Sequence, residues 1–167
     1  MKEFDIISIG GGSGGIATMN RAGEHGARDA VIEEKQLGGT CVNRGCVPKK
    51  IMWYGAQIAE AIRDYGPDYG FTSEQTRFDF ATLRKNREAY IDRARSSYDG
   101  GFKRNGVEYI QGRARFVDPH TVEVNGETIK AKHIVIATGA HAYIPDLVGA
   151  ELGETSDDVF ALSLIHI

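Results

Sequence analysis

The chain has 167 residues, of which 41% are hydrophobic and 26% charged, a composition typical of a globular protein with one sizeable core. Its 20 basic and 23 acidic residues give a net charge of -3, which argues against a broad binding surface for nucleic acid or an anionic membrane. No apolar run approaches the roughly 18 residues of a membrane span, and the N-terminus lacks a signal-peptide pattern. We therefore expect a cytoplasmic protein.

The chain opens with the pattern of a strand, a glycine turn, a helix and a second strand. Residues 4–9 are a short apolar run that stops at a cluster of glycines, and residues 16–23 suit a helix. Residues 30–32 predict a second strand that ends at Glu33. This order is the one in which a dinucleotide-binding turn occurs.

The glycine cluster fits the pattern G-x-G-x-x-G at Gly10, Gly12 and Gly15. The first glycine suits a tight turn, the second lets a pyrophosphate approach the backbone, and the third lets helix and strand pack closely. Glu33 can accept hydrogen bonds from ribose hydroxyls and would repel a 2′-phosphate. The pattern therefore predicts a site for the adenosine of FAD or NAD, whereas the simplest alternative for Glu33 is a solvated surface carboxylate.

Cys41 and Cys46 are the two cysteines of the chain, and they leave three interpretations open. A metal site needs further ligands, and the spacing of the five histidines does not supply them. A structural disulfide would close a loop of about six residues, which adds little stability. A redox pair gains from closeness, because one thiolate attacks a substrate disulfide and the other resolves the product. A helix start at Pro48, with Lys49 and Lys50, favours the thiolate of Cys46.

The rest of the chain predicts two helices followed by strands. The helices are expected from about Pro48 to residue 65 and from about 80 to 102, the second with an apolar stripe that suits core packing. Short strands are expected at 107–110, 114–117, 121–124 and 127–130, with a hairpin turn at Asn125-Gly126. Residues 133–137 have the continuous apolar pattern of a buried parallel strand.

Five stretches occur in the order found in one enzyme family: IGGGSGGIA, LGGTCVN followed by GCVPKK and MW, YGPDYGF, AYIDR and IVIATG. In these the chain resembles the flavin-dependent pyridine nucleotide-disulfide reductases, from residue 4 to about 161. The resemblance implies an α/β fold: a Rossmann-like FAD-binding domain with a parallel sheet, helices and a small antiparallel β-meander. We expect an incomplete domain over residues 1–161 and an atypical tail outside the family pattern over 162–167.

The resemblance also implies roles for individual residues. Cys41 corresponds to the thiol that attacks the substrate disulfide, Cys46 to the thiol that contacts the flavin, and Lys49 to a lysine beside the flavin. Ser13 and Tyr98 correspond to substrate-binding positions, and no metal site is expected. The positions that correspond to cofactor contacts are Gly10, Gly12, Ser13, Gly14, Gly15, Glu33, Thr40, Lys49, Ala114, Thr138 and Gly139.

Within the family, Pro48-Lys49-Lys50 together with Trp53 favours the branch that reduces glutathione disulfide. The implied cofactors are bound FAD and NADPH, the latter as hydride donor at a domain outside this chain, and the implied whole enzyme is a homodimer. Nucleic acid and membranes are not expected partners. Related reductases of the trypanothione, thioredoxin, mercuric or lipoamide type are alternatives, as are an FAD-binding fragment without turnover and a flavoprotein of another reaction type.

Three residues depart from the family pattern. Arg44 stands between the cysteines where a small apolar residue is usual, so its charge is expected to affect thiol reactivity or substrate docking. Asn20 replaces an arginine that some members place near a substrate carboxylate, and Ala140 replaces a glycine after Ala-Thr-Gly. These positions are where the site is expected to differ from its relatives.

Overall fold

The computed structural model describes residues 1–72 and 77–162 and has a mixed α/β architecture. The strands are β1 (Lys2–Ile9), β2 (Asp29–Glu33), β3 (Glu108–Gln111), β4 (Arg115–Asp118), β5 (Thr121–Val124) and β6 (Glu127–Ile136). The α-helices are α1 (Ser13–Glu24), α2 (Gly39–Arg44), α3 (Cys46–Glu60) and α4 (Phe80–Asn105). No helix within the described ranges is long and apolar enough to cross a bilayer.

The six strands form one sheet in the order β3-β2-β1-β6-β5-β4. The first four are parallel neighbours, and β6, β5 and β4 form an antiparallel meander. Adjacent parallel strands β1 and β2 are joined through α1, which is the right length for a crossover connection. The expected α/β class, the parallel sheet and the antiparallel meander are therefore confirmed.

The chain consists of two compact units. The first consists of Met1–Asn43 and Arg93–His141, and it contains the whole sheet. Its core has two parts, which follow from the alternation of side chains along the strands. Ile7, Ala30 and Ile32 pack with residues of the meander, whereas Val31 packs with α1 and with Phe102 of α4.

The second unit consists of Arg44–Asp92 and Ala142–Ile167. It contains α3, which continues into a π-helical turn at Ala61–Tyr65 and a 3-10 turn at Gly66–Tyr69. Two further 3-10 turns follow at Ala150–Leu152 and Val159–Ala161. Most of the expected tail lies outside the described residues, so residues 162–167 as an atypical segment stay a prediction.

The hairpin expected at Asn125-Gly126 is confirmed, since both residues have positive φ, 53° and 81°. The strands expected at 127–130 and 133–137 are one strand, β6, and the separation was wrong. Its first part pairs with β5, and the part from Ile129 to Ile136 pairs with β1, so the strand continues through Lys132. The parallel pairing is confirmed, but the expected burial was wrong: Ile136 is 68% exposed, and none of residues 133–137 is fully buried.

Candidate functional site

The glycine turn joins β1 to α1 in the first unit, and two of its glycines are required by the protein itself. Gly10 has a φ of +112°, and a Cβ there would lie 2.1 Å from the carbonyl oxygen of Ala137. A Cβ on Gly15 would lie 1.9 Å from the carbonyl oxygen of Gly10 and 2.6 Å from Ser8 Oγ. These positions hold the turn tightly against β6 and α1.

Gly12 is different, because the fold leaves space where its side chain would be. Among the described residues, the nearest heavy atom to a Cβ on Gly12 is Gly39 Cα, at 3.7 Å. Its φ of -83° suits any residue. The missing side chain therefore serves no packing need, and it opens the backbone to an approaching group, as the second glycine of a dinucleotide turn does.

The N-terminus of α1 also fits an anionic group. Gly12 is the N-cap residue, and no side chain caps the first turn among the described residues. Ser13 and Gly14 are exposed, and Ile16 N–H, at 3.0 Å from the Gly12 carbonyl, makes the first intrahelical bond. The N–H groups before it are oriented along the helix axis, where the helix dipole favours negative charge.

Glu33 lies at the end of β2 and is tied to the glycine turn. Its Oε2 accepts a hydrogen bond from Gly11 N–H at 2.7 Å, and its Oε1 accepts one from Lys35 N–H at 2.7 Å. Each carboxylate oxygen has a second lone pair, so the group can still accept bonds from ribose hydroxyls. The solvated-surface alternative for Glu33 is thus disfavoured by two backbone bonds.

Other predicted cofactor positions lie in three further segments of the first unit. Gly38 N–H donates to the Gly11 carbonyl at 2.8 Å, and a Cβ on Gly39 would lie 2.8 Å from Gly12 Cα, so the exposed Thr40 follows directly beside the turn. Thr138 and Gly139 follow Ala137, whose N–H donates to the Ile9 carbonyl at 2.8 Å. Ala114 packs against the core beyond β3. Thr40, Thr138 and Gly139 therefore directly follow residues that contact the glycine turn or the end of β1, whereas Ala114 is placed only against the core.

Cys41 and Tyr98 also lie in the first unit. Cys41 is half-buried in α2, and Tyr98 is half-buried in α4. Burial raises the pKa of Tyr98, and the negative charge of a Cys41 thiolate raises it further. The predicted attacking thiol therefore lies within electrostatic range of a predicted substrate residue.

A cavity of about 280 Å³ lies in the first unit, between the segment after Glu33 and the exposed side of α4. Burial raises the pKa of Tyr109 in its wall, and the charges of Glu33 and Asp99 add to the shift. None of the predicted site residues lines this cavity.

Cys46 lies in the second unit, as the first residue of α3. Its side chain is exposed, as is that of Lys49 one turn further on. Pro48 lies in the first helical turn, as expected, and is buried, although the helix begins at Cys46 rather than at Pro48. Lys49 N–H donates to the Gly45 carbonyl at 3.0 Å. The thiol at this position lies at the positive end of the helix dipole.

Arg44 is also in the second unit, and it is paired. Its Nη1 lies 3.3 Å from Asp157 Oδ2. Asp157 belongs to a turn in which Thr155 N–H and Oγ1 both donate to Asp158 Oδ2, at 2.8 and 2.6 Å. The Arg44 side chain remains 59% exposed, so the pair is worth about 1 kcal/mol or less.

Two buried charged side chains were not expected from the sequence. Asp29, at the start of β2, is 1% exposed, and neither carboxylate oxygen has a hydrogen-bond partner among the described residues. Arg87, in the middle of α4, is 2% exposed. Each stands beside other charged residues in the sequence, so the hydrophobic pattern gave no signal for its burial.

The sequence matches the family described as "Pyridine nucleotide-disulphide oxidoreductase" over residues 4–165. The chain therefore belongs to this oxidoreductase family, whose domain has a Rossmann-like FAD-binding fold, and the expected resemblance is confirmed. The chain is also similar to "Glutathione reductase" from Schizosaccharomyces pombe, with 44% identity over 170 aligned positions. That match covers 96% of this chain and 36% of the relative, so the chain spans about a third of the relative's length.

No group of three or more His, Cys, Asp or Glu side chains is arranged to hold a metal ion within residues 1–72 and 77–162.

Proposed function

We propose that this chain is the FAD-binding and disulfide-bearing part of an NADPH-dependent glutathione-disulfide reductase. The observation that carries the proposal is the pair of thiols, Cys41 and Cys46, in a chain whose family is that of the pyridine nucleotide-disulphide oxidoreductases. The similarity to a glutathione reductase supports glutathione disulfide as the substrate. NADPH as hydride donor, a homodimer and a cytoplasmic location belong to the same proposal.

FAD is proposed to bind along the glycine turn. Gly12 leaves its backbone open to the pyrophosphate, the first turn of α1 presents N–H groups, and Glu33 accepts from the ribose hydroxyls. Ser13, Gly14, Thr40, Ala114, Thr138, Gly139 and Lys49 are proposed as further contacts, together with Gly10 and Gly15, which shape the turn. The flavin, when bound, supplies the two electrons that reduce the disulfide of the cysteine pair.

The two thiols have separate parts in the proposed reaction. The Cys41 thiolate attacks one sulfur of the substrate disulfide and forms a mixed disulfide, and the other half of the substrate leaves as a thiol after taking up a proton. The Cys46 thiolate then attacks Cys41 Sγ, which forms the Cys41–Cys46 disulfide and releases the second half as a thiol. Two electrons pass from the dithiol to the substrate, and Ser13 and Tyr98 are proposed to hold the substrate beside Cys41.

Replacing either cysteine by serine in the whole enzyme is expected to abolish disulfide turnover. Cys41→Ser removes the attacking thiolate, whereas Cys46→Ser leaves it in place and traps the mixed disulfide. The measurement is NADPH oxidation with glutathione disulfide, followed by intact mass. We expect an adduct of one glutathione on Cys46→Ser and none on Cys41→Ser.

Turnover that survives in both serine variants would contradict the proposal and favour a flavoprotein of another reaction type. Ser97→Ala is a suitable control, since this exposed side chain donates to the Ala94 carbonyl of its own helix at 2.7 Å. Its turnover is expected to equal that of the unchanged enzyme. Higher activity on trypanothione disulfide or lipoamide than on glutathione disulfide would assign the chain to another branch of the family.

Arg44→Val is expected to change the pH dependence of disulfide reduction. The substitution removes a positive charge two residues before Cys46 and also breaks the pair with Asp157. Asp157→Asn is the matched control, because it breaks the ion pair and keeps the positive charge of Arg44. The measurement is kcat/KM for the disulfide between about pH 6 and 9, around the range where thiols ionise. Superimposable profiles for Arg44→Val and the unchanged enzyme would show that the charge has no part in thiol reactivity.

A further inference from the structure

Arg87 is the largest fully buried side chain in the described part of the chain, and its guanidinium is 2% exposed. Burying a cation is costly unless its charge is paired and its N–H groups are bonded. Its carboxylate partner, Glu88, is half exposed, with a side-chain exposure of 52%. An ion pair with an exposed glutamate can form at the surface, so the pair with Glu88 alone does not explain why Arg87 is buried.

The guanidinium joins three segments of the second unit. Nε and Nη2 donate to Glu88 Oε1 at 2.9 and 2.6 Å, which fixes the group to its own helix. Nη2 also donates to the Phe160 carbonyl at 2.6 Å, and Nη1 contacts Met52 Sδ of α3 at 3.4 Å. The guanidinium carbon lies 5.9 Å from the centroid of the Phe160 ring. Four of its five N–H donors are thus engaged.

The contact with Met52 matters because α3 is otherwise sparsely held. Pro48 is its one fully buried residue in the described structure, and Trp53, Tyr54 and Ile58 are exposed. Gly55 lies against α4, since a Cβ there would be 3.4 Å from Leu83 Cδ2. Met52 and Gly55 share one face of α3, and Leu83 and Arg87 lie one turn apart on α4. Arg87 is therefore the polar member of the contact that fixes α3 on α4.

We infer that Arg87 is a positioning residue for Cys46, an inference that rests on the proposed redox role of that thiol. Cys46 is the first residue of α3, and the positive end of a helix dipole can act on a thiol there only while the helix start keeps its place. Arg87 fixes α3 less than two turns after Cys46, through Met52. It also links this contact to the turn at Val159–Ala161 through the Phe160 carbonyl.

The test measures alkylation of Cys46 by iodoacetamide in the purified protein carrying Cys41→Ser, between about pH 6 and 9. Arg87→Met keeps a long side chain and removes the charge and the N–H donors. We expect its alkylation rate near pH 7 to fall about two- to five-fold, the size of a lost helix-dipole interaction, with the profile displaced to higher pH. The alkylation rate of Arg87→Lys is expected to lie between that of Arg87→Met and that of the protein with Arg87 unchanged, because one ammonium cannot reach all the acceptors of the guanidinium.

Met52→Leu keeps the volume of the side chain and removes only the sulfur contact, so it retains the fold and is expected to shift the profile in the same direction. Two controls separate positioning from stability. Arg84→Met changes an exposed arginine of the same helix, and Ile91→Val removes a buried methyl group from α4, 3% exposed in the folded chain.

A purely structural role predicts faster alkylation through unfolding, as in any destabilised variant, with no displacement of the pH profile. That result for Arg87→Met, or an unchanged profile for Met52→Leu, overturns the inference. Alkylation requires no flavin, NADPH or disulfide substrate. A negative result in this experiment therefore counts against the role of Arg87 and not against the proposed reaction. The proposed reaction is tested separately, by the turnover of the cysteine variants.

Discussion

Replacing Gly15 by alanine is expected to destabilise the fold by about 2 to 4 kcal/mol, whereas replacing Gly12 by alanine is expected to spare the fold and weaken flavin binding. A Cβ on Gly15 would lie 1.9 Å from a backbone oxygen, and backbone cannot move aside as a flexible side chain can. A Cβ on Gly12 would lie 3.7 Å from its nearest described neighbour, Gly39 Cα, so its cost to the fold is about 1 kcal/mol or less, typical of an N-cap change. The same methyl group would occupy the space through which a pyrophosphate approaches.

Urea unfolding without cofactor measures the first effect, and titration of FAD fluorescence measures the second. We expect the affinity of Gly12→Ala for FAD to fall about tenfold or more, equivalent to about 1.4 kcal/mol or more. Gly70→Ala is unsuitable as a control because its φ of +81° adds strain, whereas Gly100→Ala meets no atom within 4 Å and has an ordinary helical backbone. Unchanged FAD affinity in Gly12→Ala would remove the glycine turn from the proposed cofactor site.

Asp29→Asn is expected to stabilise the protein at pH 7 by about 1 to 3 kcal/mol and to leave stability near pH 4 almost unchanged. Burial raises the pKa of the Asp29 carboxyl from its ordinary value of 3.8 to about 6. Neither oxygen has a hydrogen-bond partner among the described residues, and the Asn105 carbonyl and Asp29 Oδ2 both approach Gly23. The ionised form is therefore the one that the fold disfavours.

The sign of the pH dependence follows from that raised pKa. Between about pH 4 and 6 the folded state holds a proton that the unfolded state has released, so stability falls as pH rises through this window. The asparagine side chain of the variant has no proton to release, and the fall should disappear. The measurement is the free energy of unfolding at about pH 4, 5, 6 and 7, with Asp68→Asn, a change at an exposed residue, as the control. Parallel curves for Asp29→Asn and the unchanged protein would contradict the expectation.

The elements closest to the proposed chemistry were predictable because their residues serve local needs. The glycine pattern, the acidic residue at the end of β2 and the proline at the start of α3 each follow from backbone geometry or from a missing N–H group. The Asn125-Gly126 hairpin is local in the same sense, and its position between the two strands was predicted correctly. Such features are written in a few adjacent residues, so they can be read without knowing the fold.

The errors in prediction involve pairing between distant segments. The sequence indicated two strands at 127–130 and 133–137, and pairing with β1 makes them one. Tyr90 and Ile91 both belong to the apolar stripe expected on α4, yet Tyr90 is 50% exposed, and Arg87, which is outside the stripe, is buried as fully as Ile91. Hydrophobic periodicity cannot predict a buried arginine, because the cost of burying it is offset by acceptors on α3 and at Phe160.

The sequence by itself determined the dinucleotide turn, the closely spaced thiols and the α/β class, since each depends on spacing within a short segment. Only the tertiary structure decided that Gly15 is needed for packing and Gly12 is not, because the distinction depends on Gly10, Ser8 and Gly39 as neighbours. It also decided that Asp29 is buried without a hydrogen-bond partner among the described residues and that Arg87 joins α3, α4 and the turn at Phe160. Burial and hydrogen bonding are properties of distant segments brought together by the fold, and no local pattern specifies them.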